Sequence, residues 1–118
     1  MAFPARKDRI MPELSQFKAE FFKALAHPLR IRILDALRDG EVAVNDLSSR
    51  LGVEQSTLSQ QLAILRNRSI ISGRKSGTNV LYSVQDLAIY RLLDVAKEIF
   101  NNHLIDIKDM LTNLHNIG

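Results

Sequence analysis

At 118 residues, 46% hydrophobic and 25% charged, the chain suits one compact domain and is neither a disordered tail nor a two-domain protein. No stretch approaches the roughly 18 consecutive apolar residues of a membrane helix, and the residues after Met1 lack a signal-peptide apolar region, so a cytoplasmic protein without membrane contact is expected. The formal charge is +3, and the absence of cysteine excludes disulfides, thiolate metal sites and thiol redox sensing.

In chain order, residues 1–12 are polar and basic and hold two prolines, which reads as a flexible N-terminal arm ahead of a single domain over 13–118. From Pro12 the pattern becomes helical: Leu14, Phe17, Phe21 and Leu25, with Phe22 alongside, fall at spacings of three and four. Ala26-His27-Pro28 ends this helix, because a proline disfavours the α region at the residue before it. His27 is therefore read as structural. Pro28 then suits the first turn of a second helix, with Leu29, Ile33, Leu34 and Leu37 as its buried face. Arg38 in the last turn and Gly40 beyond it form the stop. A short third helix is expected over about 45–51, followed by the turn Leu51-Gly52-Val53, where Gly52 can take positive φ. The fourth helix runs over about 55–68. Residues 70–76 and 80–84 are rich in branched side chains and flank Ser76-Gly77-Thr78-Asn79, a β-hairpin signal. From Gln85 to about His115 there is no Gly or Pro, and one long helix is expected.

The fourth helix has two unlike faces. At 100° per residue, Leu62, Leu65 and Ser69 lie within about 40° of Leu58, whereas Ser56, Ser59, Gln60, Ala63 and Asn67 gather on the opposite side. That outer face is small, hydrogen-bonding and free of carboxylates. The DNA major groove admits one α-helix and presents donors and acceptors that Ser, Thr, Asn and Gln can meet. The alternative is an ordinary amphipathic helix with a polar outer face. Charge bears on the choice: the first 84 residues carry 13 of the 16 Lys and Arg but 8 of the 13 Asp and Glu. No carboxylate side chain falls between Glu54 and Asp86, while Arg66, Arg68, Arg74 and Lys75 all do. A cationic middle of this kind suits a polyanion. A short helix, a glycine turn and a second helix complete helix-turn-helix spacing, and the hairpin with Arg74 and Lys75 before its tip serves as a wing. On this reading Ser56, Thr57, Ser59 and Gln60 reach base edges. Gln55, Arg66, Arg74, Lys75, Thr78 and Asn79 hold phosphates or groove walls.

Several segments resemble the ArsR/SmtB family of winged helix-turn-helix regulators. Phe22-Lys23-Ala24-Leu25-Ala26-His27-Pro28-Leu29-Arg30 followed by Ile33-Leu34-Asp35-Ala36-Leu37 is similar to the family's opening signature. The stretch from Leu47 to Arg66, LSSRLGVEQSTLSQQLAILR, is similar to its helix-turn-helix. Ile70-Ile71, Arg74-Lys75-Ser76-Gly77 and Leu81-Tyr82-Ser83-Val84 resemble its wing, and the likeness spans roughly residues 17–104. The resemblance implies a mainly α (α+β) winged helix fold, with five helices and a two-stranded β-hairpin wing over 72–82 between helices four and five. It also implies a homodimeric repressor, released from double-stranded operator DNA by an effector and dimerising through its first and last helices. The residues themselves support a dimer, since Ile89, Leu93, Ala96, Phe100, His103, Ile107, Met110 and Leu114 repeat at alternating spacings of four and three. Such a seam wants another helix to pack against, and Phe17 and Phe21 of the first helix offer part of the facing surface. The alternative is a seam packed only on its own domain.

Metal sensing, common among the family, is not expected here. One family site places two cysteines where this chain has Ala43 and Asn45. The other uses four ligands on the last helix, at positions held here by Asp86, Ala88, Ile99 and Asn102, of which only Asp86 matches. No cofactor is therefore expected. The residues leave open a different metal site, a small ligand at the dimer interface, or control by abundance alone. His103 is the polar residue in the seam: it could meet its mate or pair with Asp106 and respond to pH or metal, or be a tolerated polar residue at the rim. His115 reads as solvated. There is no phosphate loop, nucleophile motif or catalytic constellation, so no enzyme is expected. The alternative function is a winged-helix protein-interaction module without DNA binding, which would put acidic or bulky apolar residues on the outer face of the fourth helix. Those are absent.

Overall fold

A computed structural model describes residues 2–117, with side chains from Glu13 to His115. The elements in order are α1 (Ala2–Leu25), α2 (Pro28–Ala36), β1 (Val42–Ala43), α3 (Val44–Leu51), α4 (Gln55–Asn67), β2 (Ile71–Ser76), β3 (Asn79–Val84) and α5 (Ala88–Ile117). They divide into two compact units, one through Gln85 and one from Asp86 onward.

In the first unit, each helix boundary has a local cause. The backbone of α1 is helical from Ala2, within the segment expected as a flexible arm; Met1 lies outside the described residues. Pro4 falls in the first turn, where a missing N–H leaves no intrahelical bond unmade. Pro28 opens α2 as expected, and His27 caps it: in extended backbone, its Nδ1 accepts from the Leu29 N–H at 3.1 Å. The structural role read for His27 is thus a helix cap. α2 ends at Ala36, two residues before Arg38, which lies in the turn leading to Gly40. Gly52 ends α3 with φ 64°, a conformation an L side chain resists.

The end of α4 departs from its expected face. By helical angle Ser69 falls with Leu58, Leu62 and Leu65, although the helix was expected to end at about residue 68. Ser69 lies beyond the helix end, exposed, with φ 58°. The Ile70 N–H donates to Leu65 O at 3.0 Å and the Ser69 N–H to Arg66 O at 2.9 Å. This is the paired bonding of a Schellman cap, with Leu65 and Ile70 buried together beneath it. Helical periodicity therefore stopped applying one residue before Ser69.

The sheet has three strands in the order β1-β3-β2, all antiparallel: β2 and β3 form the two-stranded wing expected between the fourth and fifth helices, and β1, which was not expected, adds a third strand beside β3. β1 pairs Val42 with Tyr82 and Ala43 with Leu81. Two residues are too few to display alternation, which is why the sequence pattern did not disclose β1. β2 and β3 pair from Ile71↔Val84 to Ser76↔Asn79 around a two-residue loop. Gly77 supplies the positive φ (62°) that the first loop position of a II′-like hairpin requires. The core is aliphatic, as a chain without Trp demands: Ile33, Leu34, Leu47, Leu58, Leu65 and Ile71 are wholly buried. They bring α2, α3, α4 and β2 together, with α1 packed on α2 and α4.

The second unit is α5. It begins at Ala88, three residues later than expected, after Asp86 Oδ1 accepts from the Ala88 N–H at 2.9 Å. Its 30 residues extend about 45 Å.

Candidate nucleic-acid interface

α4 presents the face expected of it. Leu58, Leu62 and Leu65 point into the core, and Gln55, Ser56, Thr57, Ser59, Gln60, Arg66 and Asn67 are exposed. The helix is held from behind by Arg30, whose Nε donates to Gln61 Oε1 at 2.8 Å. Its Nη1 donates to the Lys23 and Ala24 carbonyls at the end of α1, both at 3.2 Å. One guanidinium thus closes the last turn of α1 and fixes α4 against it. Arg68 pairs with Glu20 of α1, so its charge is already met, while Arg66 stays exposed two residues earlier.

The turn before α4 is fastened from both sides. Arg32 Nη2 donates to Leu51 O at 2.9 Å, and Ser48 Oγ donates to Val53 O at 2.5 Å. The first bond meets a carbonyl that the end of α3 would otherwise leave unpaired, and the second ties α3 to the turn beyond Gly52. The pair α3–α4 is therefore a fixed helix-turn-helix in which α4 itself carries no carboxylate, Glu54 standing just before it and Asp46 on α3.

Lys75, Thr78 and Asn79 are exposed at the wing, as expected of groove contacts. Arg74 is exposed too, but its Nε and Nη2 donate to Glu41 Oε2 and Oε1 at 2.6 and 3.1 Å. That hydrogen-bonded pairing, with the guanidinium charge beside it, holds the Glu41 carboxyl below the usual carboxylate range and pushes Arg74 above its ordinary value. Sequence reading missed Glu41 because its position opposite Arg74 follows from β1, which the sequence concealed. It also missed Asn45. Gln55 Nε2 donates to Asn45 Oδ1 at 2.5 Å, and Asn45 Nδ2 donates to Asn79 Oδ1 at 3.4 Å. Two of the expected contact residues, one at the start of α4 and one at the wing tip, thus meet through a residue of α3.

The residues expected to form a dimer surface divide. Phe17 is 71% exposed, while Phe21 is half-buried and stacks edge-on against Phe22 at 5.7 Å. On α5, Phe100 is 66% exposed, His103 and Ile107 are exposed, and Leu93 and Ala96 are half-buried. Ile89, also expected in the seam, is 7% exposed. Leu104, Met110, Leu111 and Leu114 extend the exposed apolar stripe toward the C-terminus. Among the described residues, no group of three or more His, Asp and Glu could hold a metal ion, and no helix is long and apolar enough to cross a membrane.

Known proteins share this arrangement. Residues 27–72 match the family described as bacterial regulatory protein, arsR family. An HTH-type transcriptional regulator of Mycobacterium tuberculosis, Rv0081, is 43% identical over 102 residues, 86% of this chain and 90% of the relative. Its crystal structure superposes with a TM-score of 0.73 over 79% of this chain and 94% of that one, at 44% identity. A transcriptional repressor SmtB homolog of Synechocystis is 39% identical over 89 residues, 71% of this chain and 67% of the relative. The solution structure of the homodimeric winged helix-turn-helix DNA-binding domain of Mb0332 from Mycobacterium bovis matches at 30% identity and a TM-score of 0.71. It covers 80% of this chain and 87% of that one. With the helix-turn-helix, the wing and the relatives in agreement, the chain belongs to the ArsR family of bacterial winged helix-turn-helix transcriptional regulators, a DNA-binding and non-enzymatic class.

Proposed function

We propose that this regulator is a repressor that binds a palindromic operator as a homodimer, with α4 in the major groove and the wing on the backbone or minor groove. The observation that carries the reading is the outer face of α4. It is exposed, short-chained and free of carboxylates, and is flanked by Arg66 at one end and the wing cations beyond. Ser56, Thr57, Ser59 and Gln60 are its base-reading residues, and Gln55, Arg66, Lys75, Thr78 and Asn79 its phosphate and groove-wall contacts. Arg74 joins the second set once it leaves Glu41.

The dimer reading rests on the exposed apolar stripe of α5 and on Phe17, which cost free energy while they face water. A two-fold pair would place its two α4 helices about 34 Å apart, and so half-sites one turn apart. The proposal includes no metal cofactor, because Ala43, Asn45, Ala88, Ile99 and Asn102 stand where relatives' ligands would be.

The test is selection of bound duplexes from a random-sequence library, followed by titration against salt. The reading expects an inverted repeat and a steep loss of affinity with salt. Gln60→Ala should alter the preferred bases, whereas Lys75→Ala should weaken all duplexes alike. A library that yields no enriched sequence would overturn it.

A further inference from the structure

The register of the sheet places one side chain where backbone pairing ends. β1 and β3 pair Val42 with Tyr82 and Ala43 with Leu81. Continued by two residues, that register sets position 45 opposite position 79. The backbone cannot continue the ladder there, because it has already entered α3 at Val44. The side chains continue it instead: Asn45 Nδ2 donates to Asn79 Oδ1 at 3.4 Å, and the other end of the same amide, Oδ1, accepts from Gln55 Nε2 at 2.5 Å. Gln55 is the first residue of α4 and Asn79 the first residue after the wing loop.

We propose that Asn45 is a positioning residue that ties the wing tip to the first turn of α4, so that helix and wing meet DNA as one reading surface. The inference rests on the DNA-contact reading above and deepens it. Only a side chain with an acceptor and a donor at opposite corners can serve both neighbours, and a primary amide has them. The bonds leave Asn79 Nδ2 free to donate to an anion and Gln55 Oε1 free to accept. All three residues are exposed, so water competes for these bonds in the unbound protein and they add little to folding stability. On DNA, where water is displaced, they fix the spacing between two contacts. The benefit is then in recognition and not in folding.

The experiment uses the full chain and the duplex it selects. Asn45→Ala should bind that duplex roughly three- to tenfold more weakly, the range for loss of one or two hydrogen bonds. It should also change base preference at the half-site edges, with an unchanged thermal midpoint. Asn45→Ala combined with Asn79→Ala should bind no worse than the weaker single variant, because both break one link. Should Asn45→Ala fail to fold, Gln55→Ala and Asn79→Ala carry the test, and their effects should be less than additive. Wild-type affinity and preference in Asn45→Ala, or strictly additive losses in the cycle, would overturn the assignment while leaving DNA binding intact. A wild-type protein that selects no duplex would instead overturn the DNA reading, and this inference with it.

Discussion

Glu41 withholds the principal wing cation, and removing its charge should strengthen DNA binding. The carboxylate engages Arg74 through Nε and Nη2, the edge of the guanidinium best suited to a bidentate phosphate grip. While that edge is occupied, the pair presents no net charge to DNA. Glu41→Gln keeps the shape of the side chain and removes its charge, leaving the whole guanidinium to phosphate. One added phosphate contact per half-site is two per operator, which steepens the dependence of log affinity on log salt by about 1.8 and over a fourfold range from about 50 to 200 mM is roughly twelvefold. The assay is fluorescence anisotropy with the selected duplex across a potassium chloride series. Glu41→Gln should bind more tightly at low salt and lose affinity more steeply. If it binds more weakly with a shallower slope, Glu41 orients Arg74 toward DNA instead of withholding it, and the argument is wrong.

The same pair gives an acid-side signature. Arg74 lowers the Glu41 pKa in the folded protein, so its contribution to stability is present above the ordinary carboxylate range and is lost as pH falls through the lowered value. The difference in melting between wild type and Glu41→Gln should therefore shrink as pH falls below the ordinary carboxylate range, and a difference independent of pH would count against it. Ser69→Gly should stabilise the fold. A left-handed non-glycine residue costs about 1–2 kcal/mol, and the extra unfolded-state freedom of glycine returns part of that. A net gain of about 0.5–1 kcal/mol in a chain of this length raises the melting temperature by roughly 2–4 °C, readable by calorimetry. Leu58→Ala removes a wholly buried side chain from beneath the reading face and should cost about 2–5 kcal/mol in chemical denaturation. A loss under about 1 kcal/mol would mean that the core beneath α4 collapses freely to fill the space.

Much of the fold was written in local chemistry. Pro28 fixed the start of α2, Gly52 the turn into α4 and Gly77 the hairpin, each because the backbone there allows few residue types. The two faces of α4 followed from spacing alone, since Leu58, Leu62 and Leu65 repeat at the helical period and are buried. Where the local signal was short or overridden, the expectation failed. β1 is two residues long, and Ser69 does not lie on the face whose helical angle it shares.

The sequence by itself determined the order of the five helices and the hairpin, the uncharged outer face of α4 and the apolar seam of α5, because periodicity and residue chemistry act over a few neighbouring positions. Only the tertiary structure decided what the polar side chains at the site do. Arg74 meets Glu41 across 33 positions and Asn45 meets Asn79 across 34, through a strand that becomes visible only when β3 lies beside it. Hydrogen bonds depend on distances of tenths of an ångström between residues far apart in the chain. No local pattern encodes such distances; they are set when the hydrophobic core closes and the sheet takes its register.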